Sequence, residues 1–434
     1  MNKPHIVIVG SGVAGLSALW HLKNHARITI LEQADYLGGH THTHNLSLEG
    51  EDVKVDSGFI VFNDKTYPGI IDWFNQLGVT SHPTDMSFSV SLNHGEFEWS
   101  GTSINSIFAQ KRRLLDLKFW RMLIDIIKFN YSAKKQSPSG CKEFLASASI
   151  GDYLKSANYG SYFENGYLLP MAGSIWSCPS GDVRKFPYNS FITFCENHGL
   201  LSIFNRPTWY SIKGGSNQYI KSLLDRTKKC DLNVLTESKV ECVKENKNKN
   251  TIIFRDRHNK LNHIECNAVV LATHADSSRQ IISKSSHPSL SCLNDITFRD
   301  NTAYLHSDQS LMPRNRKAWA AWNYVANETT TSQSEITVTY FMNKLQHLSV
   351  LTPIFVTLNP PQKPATENTF RIMKYRHPLM TNTSEKATKQ LSSYQGQKNI
   401  WFAGAWLGNG FHESGYKSGQ LAAQQIVESL IPNV

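Results

Sequence analysis

Apolar and polar residues alternate in blocks along this chain, and the periods of those blocks predict its elements. His5-Ile6-Val7-Ile8-Val9 is an unbroken run rich in β-branched residues, which predicts a strand buried on both faces of a parallel sheet. Gly10 to Gly15 interrupts the apolar pattern, and Leu16 to Asn24 returns to a helix-compatible one. Arg27 to Leu31 predicts a second strand, ending at Glu32. Further strands are expected around 234–243, 252–255 and 268–273, with the polar run Lys244 to Asn250 as a hairpin turn. Two more strand-like runs carry Trp319, Trp322, Asn323 and Tyr324, then Tyr340 and Asn343. Pro353 to Pro364 reads as a surface excursion. Ile400 to Ala405 reads as a strand entering a small-residue turn, and Ser418 to Leu430 as a closing helix. No stretch reaches the roughly 18 uninterrupted apolar residues of a membrane span. The glycines inside Ile6 to Leu22, and the lack of a cleavage-site pattern, distinguish that stretch from an export signal.

The interruption carries the first chemistry. Gly10-Ser11-Gly12-Val13-Ala14-Gly15 is a G-x-G-x-x-G between strand and helix, with Glu32 closing the next strand. In that order the parts suit a dinucleotide. Gly10 permits the tight turn, Gly12 lacks the Cβ that would meet a pyrophosphate, and Gly15 lets helix and strand pack closely. The helix start, through Val13 and Ala14, offers free N–H groups and partial positive charge to phosphates. Glu32 can accept hydrogen bonds from ribose hydroxyls. Gly38-Gly39-His40-Thr41 and Val55-Asp56-Ser57-Gly58 add close backbone passages that suit the longer cofactor FAD rather than NAD. Gly410-Phe411-His412-Glu413-Ser414-Gly415 precedes the closing helix, whose N–H groups could face a flavin carbonyl. No second well-placed G-x-G-x-x-G appears mid-chain, which favours electrons supplied by the substrate itself.

Composition narrows the class. At 434 residues, 40% apolar and 18% charged, the chain is neither disordered nor fibrous and can bury a core without staples. Its seven cysteines contain no C-x-x-C, which argues against a disulfide framework or a zinc cluster and for a reducing, cytoplasmic setting. The formal charge is +10, and Lys111 to Lys135, with eight Lys or Arg against two Asp, contributes 8 − 2 = +6. Within it Lys118, Arg121, Asp125 and Lys128 make a polar stripe on a helix that also carries Phe119, Trp120, Met122, Ile126 and Phe129. Two readings stand: a buried domain helix, or a peripheral contact with the inner membrane face that admits an acyl chain. No nucleic-acid motif accompanies the charge.

Together the G-x-G-x-x-G with Glu32, the Gly38-Gly39 pair, Gly214-Gly215-Ser216, the strand Ala268 to Thr273 and the segment Phe402-Ala403-Gly404 resemble the flavin-containing amine oxidase and phytoene desaturase superfamily. Longer stretches resemble a bacterial group of NAD/FAD-binding oxidoreductases within it: Val55 to Asn63, Gly173 to Ser177, Ala320 to Tyr324 and Gly410 to Glu413. The resemblance implies an α/β fold, with a Rossmann-like FAD-binding domain (1–80, 205–290 and 392–434) interleaved with an α+β substrate domain (81–204 and 291–391). It implies that Gly10, Gly12, Val13, Ala14, Gly15, Glu32, Gly38, Gly39, His40, Thr41, Ser57 and Gly58 line FAD. Val240 would lay a backbone amide on the adenine. Gly404, Ala405, Gly410, Phe411, His412 and the residues to Gly415 would reach the ribitol and isoalloxazine. Some members of that group are implicated in desaturating methylated fatty acyl chains towards furan fatty acids, and relatives isomerise polyunsaturated fatty acids. Amine oxidases carry an acid where this chain has Ala405, and an aromatic, often Tyr, where it has Phe411; both departures weaken an amine substrate.

Candidate chemistry follows. His412 and Glu413 form either an acid–base pair or a cofactor-positioning pair. Asn323 and Tyr324 are the polar members of an aromatic run that lines either a pocket or the core. His40, His42 and His44 would share one strand face and converge on a metal, or His40 alone would contact the flavin; no metal is expected. Three functions compete: desaturation or isomerisation of an apolar acyl substrate, amine oxidation, and flavin binding without turnover.

Overall fold

The computed structural model describes all residues except 1–2, 136–147, 177–178, 198, 202–205, 247–248, 286, 327–336 and 432–434. A five-stranded parallel sheet forms its base, in the order Leu232–Leu235, Arg27–Leu31, His5–Val9, Ala268–Leu271, Ile400–Phe402. Its three inner runs are mostly apolar, apart from His5, Arg27 and Thr29, because both faces are covered. Ile6 and Ile8 pack against the first helix, Val13–Leu22, and against the helices Pro68–Leu77, Asn217–Thr227 and His412–Leu430. Val7 and Val9 pack on the other face, against an antiparallel sheet of Lys239–Glu245, Asn250–Arg255 and Leu261–Cys266. The parallel sheet thus takes its strands from the start, middle and end of the chain.

A seven-stranded sheet stands beside it, in the order Thr369–Pro378, Phe298–His306, Phe355–Leu358, Thr337–Phe341, Trp322–Ala326, Phe88–Leu92, Phe97–Ser100. Neighbours are antiparallel except Trp322–Ala326 with Phe88–Leu92. A layer of helices between 117 and 197 covers one face and encloses the largest apolar core of the molecule. Trp322, Tyr324 and Tyr340 point into that layer, while Asn323 points the other way, as the period of two requires.

Several local expectations need correction. The excursion at Pro353 to Pro364 contains the fully buried central strand Phe355–Leu358; its prolines lie outside the strand, where no ladder N–H is needed. The last helix begins at His412, six residues before Ser418, and the first at Val13. The run at 234–243 is two strands, Leu232–Leu235 and Lys239–Glu245, in different sheets. The strand of the histidine triplet starts only at Thr43, so His40 and His42 are not held in its alternation. His42 and His44 are adjacent, with ring centroids 4.1 Å apart, but His40 turns away towards His377 and Tyr375. Asp125 is buried rather than part of an exposed polar stripe, and Trp120 is exposed.

Candidate functional site

The glycine turn has the geometry its residues demand. Gly10 has φ +96°, and a Cβ there would lie 2.7 Å from the Ala272 carbonyl oxygen on the neighbouring strand. A Cβ on Gly15 would fall 2.0 Å from the Gly10 carbonyl oxygen, so the first helix sits directly on the turn. At Gly12 a Cβ would meet nothing within 4 Å. Gly12 caps the first helix with no side-chain hydrogen bond, and no acid lies in the first turn, although Val13 and Ala14 are buried. A buried helix start without a capping side chain calls for an anionic ligand. Glu32 Oε2 accepts from the Ser11 N–H (2.8 Å) and hydroxyl (2.7 Å), and Oε1 from the Ala34 N–H (2.9 Å). That carboxylate therefore shapes the turn as well as standing at the end of the second strand. The Ser238 N–H bonds to the Glu32 carbonyl (2.7 Å), which brings the strand of Val240 alongside, with a bulge between Val240 and Cys242.

The far end of the cradle is built around the start of the last helix. The Gly404 N–H donates to Ser418 Oγ (2.9 Å), and Gly410 returns its N–H to the Ala405 carbonyl (3.0 Å). Phe411 caps the helix, and its ring stacks on Phe194 of the largest apolar core, 5.1 Å between centroids. Helix His412–Leu430 lies along the first helix: a Cβ on Gly419 would fall 2.1 Å from the Ala14 carbonyl oxygen, and Ser17 Oγ donates to the Tyr416 carbonyl (2.7 Å). Two helix starts, at Gly12 and Phe411, thus belong to one packed unit.

The comparisons agree with this architecture. Residues 8–77 match the NAD(P)-binding Rossmann-like domain family. An L-amino-acid oxidase of Crotalus adamanteus is 21% identical over 300 residues, which are 64% of this chain and 52% of that protein; the chain spans about half the length of this curated relative. A redesigned putrescine oxidase superposes with a TM-score of 0.67 at 13% identity, covering 98% of this chain and 99% of that one. A fatty acid isomerase from P. acnes that produces CLA superposes at 0.65 with 12% identity, over 98% and 99%. The chain has the fold of the flavin amine oxidase superfamily. In this fold the cradle fits FAD: the N–H donors of an uncapped buried helix start, open space over Gly12 and an acceptor carboxylate at the second strand are what a dinucleotide needs.

On that amine oxidase-like frame the residues expected in catalysis take up definite positions. His412 stacks face to face on Phe59 (centroids 3.5 Å, 12° between planes), with Nε2 3.0 Å from Thr41 Oγ1. Thr41 Oγ1 in turn lies 2.7 Å from the Tyr219 hydroxyl. Burial pushes the His412 pKa down to about 3, so the ring is neutral at physiological pH. Glu413 does not pair with it, because consecutive helical residues face different ways. Its oxygens accept from the Gly69 (3.0 Å) and Ile70 (2.9 Å) N–H groups at the start of helix Pro68–Leu77, and Lys417 approaches at 3.1 Å. Glu413 caps a helix. Asn323 has both amide hydrogens and both oxygen lone pairs engaged, with Ala320, Thr339 and Ser89, and retains no capacity for a substrate. Tyr324 is 1% exposed and bonds to Ser180 inside the core.

The structure also brings together residues that the sequence kept apart. The ring of His40 lies 5.1 Å from Tyr375, 5.5 Å from His377 and 6.1 Å from His274, and its buried Nε2 has no partner. Burial lowers the pKa of His274 and His377 to about 4. Ser57 Oγ joins the Tyr375 hydroxyl (2.6 Å) to His44 Nε2 (2.8 Å). Asp56, fully enclosed, accepts from the Ser216 N–H (2.9 Å), Thr43 and Gln346, and burial raises its pKa to about 6. His274 directly follows the predicted strand 268–273, next to the glycine turn, a position that could have flagged it; Tyr375 and His377 carry no comparable signal. Among the described residues no group of three His, Cys, Asp or Glu has the geometry to hold a metal ion.

Proposed function

We propose that this protein is an FAD-dependent oxidoreductase that takes a hydride from an apolar substrate, desaturating or isomerising a fatty acyl chain. Bound FAD would supply the hydride acceptor. The residues of the chain would bind and orient the acyl chain and keep water away from the reacting carbon. In a desaturation, one carbon loses a hydride and its neighbour a proton as the double bond forms; in an isomerisation the hydride returns to another carbon.

The observation that carries this reading is the wall at Phe411. Phe411 stacks on Phe194, and Phe194 lies 4.6 Å from Trp176, all continuous with the largest apolar core. Where such rings border a bound acyl chain they would hold its methylene groups by dispersion and exclusion of water. Support also comes from the fold shared with a fatty acid isomerase. The neutral His412, and its link through Thr41 to Tyr219, form a chain of neutral hydrogen-bonding groups at the start of the last helix, which supports orientation of a bound group there rather than storage of a proton.

The similarity to L-amino-acid oxidase and putrescine oxidase supports the rival reading of amine oxidation. Anaerobic incubation of the FAD-loaded protein separates the two. Bleaching of the visible flavin band by unsaturated or methylated acyl chains, or their conversion to a positional isomer, is the expected result. Bleaching by amines or amino acids alone would move the assignment to amine oxidation. A flavin that none of these reduces, with no product formed, would leave a binding protein without turnover.

A further inference from the structure

Helix Leu117–Lys135 has two apolar faces, and folding accounts for only one of them. Phe119, Met122, Phe129 and Ala133 are fully buried and pack into the large core. On the outside, Leu117, Trp120, Ile124, Ile127 and Tyr131 recur at spacings of 3, 4, 3 and 4 and are 84, 42, 50, 56 and 62% exposed. Trp120 Nε1 donates to the Leu114 carbonyl (2.9 Å), fastening the preceding turn Lys111–Leu115 to the helix. Leu114 and Leu115, 49 and 90% exposed, extend the same patch. Of the twelve large apolar side chains that stand exposed among the described residues, seven lie on this one segment. Scattered exposed apolar residues need no explanation; a contiguous stripe of them does.

Charge says what covers it. Lys111, Arg112, Lys118, Arg121 and Lys128 are exposed around the stripe. The two carboxylates of the segment are turned to the protein instead. Asp116 accepts from Arg113 (2.7 Å) and from the Lys118 N–H (3.0 Å). Asp125 is 2% exposed and accepts from the Gly160 N–H (2.9 Å). The outer face therefore offers apolar surface ringed by cations, without an exposed acid between 111 and 131. A second copy docking face to face would bring two such rings together, and like charges oppose it. An anionic bilayer complements both parts: apolar side chains enter the acyl boundary, Trp120 and Tyr131 suit the interface, and Lys and Arg stems reach up to headgroups.

We infer that the outer face of residues 111–131 docks this protein onto an anionic lipid surface. Docking is independent of the flavin chemistry proposed above, because it is read without turnover. The test is flotation of the FAD-loaded full chain with vesicles containing about one quarter phosphatidylglycerol in phosphatidylcholine, at low salt. Co-flotation is expected, weakening steeply with added salt and on pure phosphatidylcholine. Leu117→Glu with Ile124→Glu, and separately Lys118→Glu with Lys128→Glu, should each lower vesicle affinity roughly tenfold or more. Both pairs are exposed, so FAD content and thermal midpoint should hold. Leu351→Glu, at a residue 91% exposed elsewhere, should leave flotation unchanged. Failure of the wild type to float, or flotation equal in the glutamate variants, overturns the inference. So does a dimer in solution that the Leu117→Glu pair dissociates while vesicle binding is absent.

Discussion

Two glycines five residues or fewer from Gly10 do opposite work, and a single methyl group distinguishes them. A Cβ at Gly15 would enter the Gly10 carbonyl at 2.0 Å, whereas one at Gly12 would enter open space. Gly15→Ala should therefore cost about 3 kcal/mol or more of stability, read in thermal or denaturant unfolding. Gly12→Ala should fold with a loss below about 1 kcal/mol and yet bind FAD at least about tenfold more weakly. Titration of apo-protein with FAD, beside a melt, checks the contrast; equal loss of both properties in both variants would refute it. Asn323 illustrates the opposite hazard. Replacing it with Ala strands the Ala320 and Thr339 carbonyls and the Ser89 hydroxyl in the interior. A loss of about 2 kcal/mol or more is expected, with the activity of the folded fraction retained.

Between elements, one carboxylate joins the beginning of the chain to its end. Glu413 belongs to the last helix but neutralises the start of helix Pro68–Leu77. Glu413→Gln removes the charge and sets an amide donor against two backbone donors, at about 2 kcal/mol. The melt should drop while turnover of the FAD-loaded fraction stays; selective loss of turnover would return Glu413 to chemistry. The elements themselves differ in how far the sequence declares them. The strand, glycine turn and helix at 5–22 are legible because each step is local: β-branched run, positive φ, periodic apolar face. The strand Phe355–Leu358 is not, since prolines at 353, 360 and 361 mask a run that only pairing on both sides makes central. The site divides in the same way. Its phosphate end lies in one short segment, whereas the grouping of His40 with His274 and His377 arises from pieces more than two hundred residues apart. The helical register at 111–135 was legible as apolar and basic, but only packing tells which apolar positions face inwards.

At the scale of the molecule, buried imidazole is the dominant titratable feature. Among the described residues ten histidines have their pKa lowered, burial being the largest cause in each. Six of these fall to about 3 or 4: His21, His44, His274, His306, His377 and His412. In the unfolded chain each would titrate near 6.5. As pH falls from about 6.5 towards 4, the unfolded state takes up protons that the native state refuses, so stability falls. Asp56 has the opposite sign: its pKa, raised to about 6, favours the native state at low pH and is one group against six. Denaturant midpoints measured from pH 7.5 to 4.5 should decline steadily, steepest below 6.5. A midpoint that is flat or rising over that range would contradict the burial of these rings.

The parallel sheet has a consequence for the order of events at birth of the chain. Its edge strand, Ile400–Phe402, and the helix that rests on the glycine turn leave a ribosome after every other strand of that sheet. The Gly10–Gly15 turn therefore waits for more than 380 residues before the surfaces that Ala14 and Ser17 pack against exist. Loop closure of that span costs about 3 kcal/mol more than closing about ten residues, and it also delays the contact in time. A nascent chain released short of residue 400 should hold the phosphate-binding sequence intact and still be unable to retain the cofactor.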